Sequence, residues 1–323
     1  MPSEFELIAR HFSRPAATAR LGVGDDAALV APTGGMELAV STDMLLAGRH
    51  FLPDTDPRLL GHKALAVNLS DLAAMGARPR WALLAIALPR ADEAWLAAFS
   101  AGLYALAEAH GVELIGGDTT RGPLTLCLTV IGEVPAGRAL TRAGARPGDE
   151  VWVSGELGAA ALGLAHLQGR CRLQPEAAAA CLARLHTPAP RVALGAALVG
   201  LASAAIDVSD GLLADLGHIL ERSGVGAELE YTRLPAAAAL RGCADVQLAQ
   251  RCLLAGGDDY ELVFTAAPAL GAAIESLAAR LGLPLTRIGR ITAGAGLALR
   301  DDHGRTMAYE VRGYDHFADG AEA

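Results

Sequence analysis

Six short motifs rich in carboxylates recur along the chain. They are Gly24-Asp25-Asp26, Ser41-Thr42-Asp43, Asn68-Leu69-Ser70-Asp71, Gly116-Gly117-Asp118-Thr119, Asp207-Val208-Ser209-Asp210 and Gly257-Asp258-Asp259-Tyr260-Glu261. Each sets its acids among small or polar residues and beside apolar segments, whereas a solvated charged face mixes Asp and Glu with Lys. Hard cations such as Mg2+ take oxygen ligands and are commonly shared between carboxylates and substrate phosphates. Together the motifs predict a site where Asp-bound Mg2+ handles phosphate.

Taken singly, each motif has a plainer reading. Gly22-Val23-Gly24-Asp25-Asp26-Ala27 formally matches a dinucleotide fingerprint, but that motif needs a following helix to face the pyrophosphate. Here a strand is expected over Ala27 to Val30, so a metal-binding turn or an inert acidic turn fits better. Ser41-Thr42-Asp43 ends a strand and either projects Asp43 toward cations or caps a helix. Asn68 and Asp71 lie three apart, on one face of an apolar helix, where a carboxylate needs a partner. Gly116 to Gly122 reads as a glycine-rich turn between strands whose N–H groups approach phosphate, or as a plain hairpin. Helix capping explains Ser209 or Asp210 but not Asp207 as well. In Gly257 to Glu261, three acids crowd five residues, and some of them are expected to be solvated.

Composition narrows the classes. The 323 residues suffice for two domains, and the apolar content of 52% with 4% aromatics is that of a globular chain. A net charge of −9 argues against nucleic acid or an anionic membrane as partner. Lys63 is the only lysine and lies in Gly61-His62-Lys63-Ala64, which excludes a P-loop. The longest uncharged apolar stretch, Val192 to Ile206, is too short and too rich in Ala and Gly to span a membrane and reads as a buried helix. The opening residues show no signal peptide; Ser3 to Glu6 forms a capping box, with Phe5, Ile8 and Phe12 expected inward. Five cysteines without CxxC spacing read as buried free thiols of a cytoplasmic protein.

Apolar periodicity predicts helices over Pro57 to Met75, Ala91 to Ala109, Gly158 to Gln168, Pro175 to Leu185, Val192 to Leu201 and Gly211 to Ser223. Strands are expected over Glu37 to Ser41, Trp81 to Leu88, Val112 to Ile115 and Leu124 to Val134. Others follow over Glu150 to Ser154, Ala204 to Val208, Glu261 to Thr265, Thr286 to Ile291 and Gly296 to Arg300. Turn chemistry at Arg146-Pro147-Gly148-Asp149 marks the domain boundary. The class is α/β (α+β), with domains at 1–147 and 148–323 and mixed sheets covered by helices.

At these motifs the chain resembles the thiamine-monophosphate kinase family of the PurM-like, AIR synthetase-related ATP-binding superfamily. The resemblance also takes in Ala139-Leu140-Thr141-Arg142 and Gly313-Tyr314-Asp315-His316-Phe317, so it runs from end to end. It implies a two-domain PurM-like fold, with an N-terminal domain for ATP, Mg2+ and dimerisation. The implied reaction is phosphorylation of thiamine monophosphate by ATP with several Mg2+ ions, in a cytoplasmic homodimer. Asp26, Ser41, Thr42, Asp43, Asp71, Asp118, Asp207 and Asp210 match the family's Mg2+ positions. Gly117, Asp118, Arg142, Ser209 and Tyr104 match its ATP contacts. His50, Asp258 and Tyr314 match positions around thiamine monophosphate. The family usually has Glu at position 258, where this chain has a shorter Asp. Because the acceptor is already an ionised phosphate, the reaction needs no general base; Arg142 would act as an electrostatic stabiliser. The competing readings are another PurM-like ATP-dependent enzyme, a Mg2+-dependent phosphohydrolase, or a non-catalytic nucleotide- or thiamine phosphate-binding protein. A selenophosphate synthetase would want a reactive cysteine near the N-terminus, and the first cysteine here is Cys127.

Overall fold

Two compact units, each built on its own sheet, make up the computed structural model, which describes residues 3–309. The first comprises 3–72 and 77–137, the second 73–76 and 138–309.

In chain order the first unit contains α1 (Glu4–His11), β1 (Met36–Leu46), α2 (Pro57–Ala74), β2 (Arg78–Leu88), α3 (Glu93–His110), β3 (Glu113–Arg121) and β4 (Thr125–Pro135). The capping box of α1 is present: Ser3 Oγ accepts from the Glu6 N–H at 3.3 Å, and the Glu6 carboxylate accepts from the Ser3 N–H at 2.7 Å. Phe5, expected inward, is instead exposed; α1 buries Leu7, and Phe12 follows just past its end. Helices α2 and α3 meet backbone to backbone. A Cβ on Gly61 would lie 2.0 Å from the Phe99 carbonyl oxygen, and one on Gly102 would lie 1.9 Å from that of Arg58.

The sheet order is β1-β4-β2-β3, antiparallel except for the parallel β2/β3 pair. Leu126, Leu128 and Val130 of β4 and Leu84 and Ile86 of β2 are buried. By strand alternation and register, Leu45 and Asp43 share this covered side. The alternate residues of β1, namely Leu38, Val40, Thr42, Met44 and Leu46, point to the other side and are exposed.

Two further expectations for this unit are corrected. No strand forms over Ala27 to Val30; only isolated bridges such as Leu21 to Leu29 occur there. Instead, the N-terminal segment hangs on side chains of the sheet. The Glu113 carboxylate accepts from the N–H groups of Ala17, Thr18 and Ala19, and Trp81 Nε1 donates to Thr18 Oγ1 at 3.0 Å. Gly116 to Arg121 is likewise not a turn but the second half of β3, paired with Leu83 to Leu88 of β2.

The second unit contains β5 (Glu150–Ser154), α4 (Ala159–Leu167), α5 (Pro175–His186), α6 (Val192–Leu198), β6 (Ala204–Asp207), α7 (Leu212–Ser223) and β7 (Gly226–Glu230). It continues with α8 (Ala238–Arg241), α9 (Val246–Ala255), β8 (Leu262–Ala266), α10 (Gly271–Leu281), β9 (Leu285–Thr292) and β10 (Gly296–Arg300). Its sheet order is β10-β7-β9-β5-β8-β6, with β10/β7 the parallel pair. Alternation along β5 splits the core. Val151 and Val153 join Leu162, Leu216, Ile219 and Leu253, while Trp152 joins Leu194, Phe264, Ile274 and Leu277. Both sheets are mixed and helix-covered, as the α/β (α+β) class requires. Among the described residues no helix is long and apolar enough to cross a membrane. Cys181 and Cys252 are buried free thiols; Cys127, Cys171 and Cys243 are only half-buried, short of the expected burial.

Candidate active site

In the first unit the acidic residues gather where β1 meets α2. Asn68, fully buried on α2, accepts from the Asp43 N–H at 3.1 Å and donates to the Ala64 carbonyl at 3.0 Å. One helical turn later, the Asp71 carboxylate accepts from Ser41 Oγ. Ser41, Asp43 and Asp71 thus come together half-buried on the covered side of the sheet. Their donors are hard oxygens throughout, the set that suits Mg2+. Asn68 serves here as the strut between helix and strand.

Thr42 and Asp118 lie on the other side. The Thr42 hydroxyl meets that of Thr129 on β4 at 2.8 Å. Register runs from Met44 through Cys127 and Ala85 to Asp118, so Asp118 shares the open face with the exposed apolar residues of β1. β1 and β3 are opposite edges of the sheet, three strand spacings or about 14 Å apart. Within one chain, Asp43 and Asp118 therefore cannot share a single ion, whose ligands sit about 2.1 Å away.

Gly117 precedes Asp118 at φ 151°, and a Cβ there would lie 1.8 Å from the Leu84 carbonyl oxygen. Glycine lets β3 close against β2, and so fixes where Asp118 stands. Asp26 is exposed on the N-terminal segment, its N–H bonded to Asp25 Oδ1 at 2.9 Å. His50 is half-buried, with Nδ1 accepting from the Leu46 N–H at 3.0 Å.

Tyr104 is placed differently from the other candidates. It is buried on α3, its hydroxyl donates to the Phe12 carbonyl at 2.8 Å, and Arg14 lies over its ring. Burial pushes the phenol up to about 12. These contacts pin the N-terminal segment to α3. We predict that Tyr104→Phe leaves kcat/KM within about twofold but lowers stability by about 1–2 kcal/mol, since the Phe12 carbonyl loses its donor. Urea unfolding beside steady-state kinetics checks both.

In the second unit, two loops lie side by side at the junction of β6 and β8. Asp207, buried, ends β6; Ser209 and Asp210 are half-buried before α7. Asp215, in the first turn of α7, accepts from the N–H groups of Ser209, Asp210 and Gly211 at 3.0–3.1 Å. Burial outweighs these bonds and pushes the Asp215 carboxyl up to about 7. The second loop is zipped to the first through Asp258 N–H to the Ser209 carbonyl (2.9 Å) and Tyr260 N–H to that of Val208 (2.8 Å). Asp258 (φ 67°) and Tyr260 (φ 50°) are left-handed, a strain of about 1–3 kcal/mol each. Tyr260 Oη donates to Asp258 Oδ1 at 3.0 Å.

Of the acids of this loop, only Asp258 keeps the expected access to solvent. Asp259 is buried and accepts from the Gly158 N–H at 2.7 Å; burial pushes it well above the usual carboxylate range. Glu261 is 1% exposed and held by Ser154 and Arg191. Only Asp258 remains half-buried and in reach of solvent. Arg142 is exposed, its carbonyl accepting from Ser223 Oγ at 3.2 Å. Tyr314 lies outside the described residues.

Among the described residues, no three of His, Cys, Asp and Glu come together as ligands of one ion. Within the first unit, Asp26, Asp43, Asp71 and Asp118 do not form a protein-only cage. Mg2+ at phosphate sites is typically held by one or two carboxylates with phosphates and water completing the shell, and the Ser41, Asp43 and Asp71 grouping matches that habit. Sequence reading missed Asn68 as a strut, and also Glu113, Asp215, and Glu261 with Arg191. The Asp215 signal was legible: an acid in the first turn of a helix, beside N–H groups that need acceptors.

Comparison with known proteins fits this architecture. The AIR synthase related protein N-terminal domain matches residues 24–134, and the C-terminal domain of that family matches 146–302. Thiamine-monophosphate kinase of Salmonella typhimurium is 49% identical over 98% of this chain and 98% of its own length. The crystal structure of thiamine-monophosphate kinase from Stenotrophomonas maltophilia superposes with a TM-score of 0.83 at 49% identity, covering 91% of this chain and 94% of that one. AaThiL complexed with AMPPCP and TMP has a TM-score of 0.77 at 30% identity, with 89% of each chain covered. The chain belongs to the thiamine-monophosphate kinase family.

Proposed function

We propose that the chain transfers the γ-phosphoryl group of ATP to thiamine monophosphate, giving ADP and thiamine diphosphate. The observation that carries this reading is the convergence of Ser41, Asp43 and Asp71 at the β1–α2 junction, in a chain of this family. The relative complexed with AMPPCP and TMP supports the two substrates.

Mg2+ bound by Asp26, Ser41, Thr42, Asp43, Asp71, Asp118, Asp207 and Asp210 would neutralise phosphate oxygens as the two anions approach. The chain's own parts do the positioning. Asn68 holds the backbone at Asp43 and Ser41 holds the Asp71 carboxylate, and the close β2–β3 contact at Gly117 sets the edge that carries Asp118. Arg142 is exposed and free to fork onto ATP phosphate. Ser209 sits in a loop whose N–H groups Asp215 has already aligned. His50 and Asp258 contact thiamine monophosphate, with Tyr314 as the stacking aromatic. The acceptor phosphate enters ionised, so no residue is assigned as a base. ADP formation that depends on both thiamine monophosphate and Mg2+ is the expected result; ADP formation indifferent to thiamine monophosphate would contradict it.

The working unit is a homodimer on this reading. Val40 (62% exposed) and Met44 (54%) stand with Leu38 and Leu46 on an open sheet face, too apolar to remain in water. Asp118 shares that face while Asp43 does not, which supports a site completed by a second copy. Val40→Glu is predicted to shift the mass in solution from twice 33.1 kDa to 33.1 kDa and to lower activity at least about tenfold. Light scattering with size exclusion checks this; a dimeric, fully active variant would contradict it.

A further inference from the structure

The left-handed backbone at Asp258 and Tyr260 needs something to hold it. Strained backbone persists where its surroundings over-determine it, and it concentrates at ligand clamps. One side is fixed by the two hydrogen bonds to Val208 and Ser209, and Asp259 is tied to the Gly158 N–H. A further anchor is the side chain of Glu261, at the C-terminal end of the turn.

Its carboxylate is almost completely buried. Oε2 accepts from Ser154 Oγ at 2.6 Å and from Arg191 Nε at 2.6 Å, Arg191 Nη2 donates to Oε1, and Arg184 Nη1 stands 3.6 Å from Oε1. Ser154 Oγ in turn accepts from the Leu262 N–H at 2.9 Å, so the end of β5 and the start of β8 share the same clamp. Arg191 follows Pro188-Ala189-Pro190 and immediately precedes α6, on a stretch with little backbone freedom. A buried ion pair adds little net stability compared with packed apolar residues of the same volume. A forked guanidinium–carboxylate pair does fix direction. What this pair contributes is therefore geometry, and the nearest geometry it can set is that of the strained turn.

We infer that Arg191 is a positioning residue for substrate recognition: through its two-pronged bond to buried Glu261 it holds the 257–261 turn so that Asp258 faces the acceptor substrate. This role rests on the reading of Asp258 as a contact to thiamine monophosphate. Arg191 itself touches no reacting atom.

The test is steady-state kinetics with both substrates varied, on Arg191→Lys, which keeps the charge but loses the fork. KM for thiamine monophosphate should rise about tenfold, with kcat and KM for ATP within about twofold. The double variant Arg191→Met/Glu261→Gln removes both charges and avoids leaving one buried alone; it should melt close to the wild type yet keep the raised KM. Amide exchange at Asp258 and Tyr260 should quicken in both. An unchanged KM for thiamine monophosphate in both variants, or equal losses toward ATP and thiamine monophosphate, would overturn the assignment. Wild-type protein that makes no ADP in response to thiamine monophosphate would overturn the kinase reading itself, before any variant is compared.

Discussion

Asp71→Asn should lower kcat/KM for thiamine monophosphate by about 10^2–10^3-fold while leaving the fold intact. Asn has nearly the same shape and can still accept the hydrogen bond from Ser41 Oγ, so the β1–α2 junction stays in register. What disappears is one negative charge beside Asp43, in the site proposed to hold a divalent cation against two phosphate anions. The loss should appear mainly as weaker Mg2+ binding: more metal for half-maximal activity, and a lower plateau. Kinetics across a Mg2+ titration, beside a melting curve, separate this from unfolding. Activity within about threefold of wild type at every Mg2+ concentration would remove Asp71 from the metal set.

Gly117→Ala is expected to act through the backbone and to be nearly as damaging. The added methyl would stand 1.8 Å from the Leu84 carbonyl oxygen, on a residue whose φ of 151° side chains rarely adopt. β3 must then peel from β2 at the position that sets Asp118. Overpacking and strain together should cost about 3 kcal/mol or more, with most activity lost. Gly116→Ala is the control. Its Cβ would meet only the Leu83 side chain at 3.6 Å, an ordinary contact, so stability should change by about 1 kcal/mol or less. Denaturant unfolding of the pair distinguishes a requirement at position 117 from general intolerance in β3; equal effects would contradict the account.

The long periodic elements were legible in the sequence because burial wrote them there. α2 was expected over Pro57 to Met75 and spans Pro57–Ala74; β10 was expected and found over Gly296–Arg300. Gly116 to Arg121 misled because glycines usually punctuate turns, and only the neighbouring strand reveals that Gly117 is there for close approach. β7, α9 and α10 were not anticipated: short or Ala-rich, β7 gains its structure from the strands it pairs with, α9 and α10 from the core they pack on. The motifs at Asp43, Asp71 and Asp207 were legible as unusual carboxylates, since an acid beside apolar residues is informative wherever it falls. Which carboxylates meet was not. That Asp43 and Asp118 lie on opposite edges and faces follows from strand order, a property of pairing between segments far apart in the chain. Nor could spacing tell that Asp259 and Glu261 are buried structural acids while Asp258, between Gly257 and Asp259, remains reachable.

The most direct measurement is product analysis by mass after incubating the protein with ATP, thiamine monophosphate and Mg2+. ADP and thiamine diphosphate are expected in equal amounts, and neither when Mg2+ is chelated. ADP accompanied by free phosphate, with thiamine monophosphate unchanged, would contradict the kinase reading and make the chain a hydrolase.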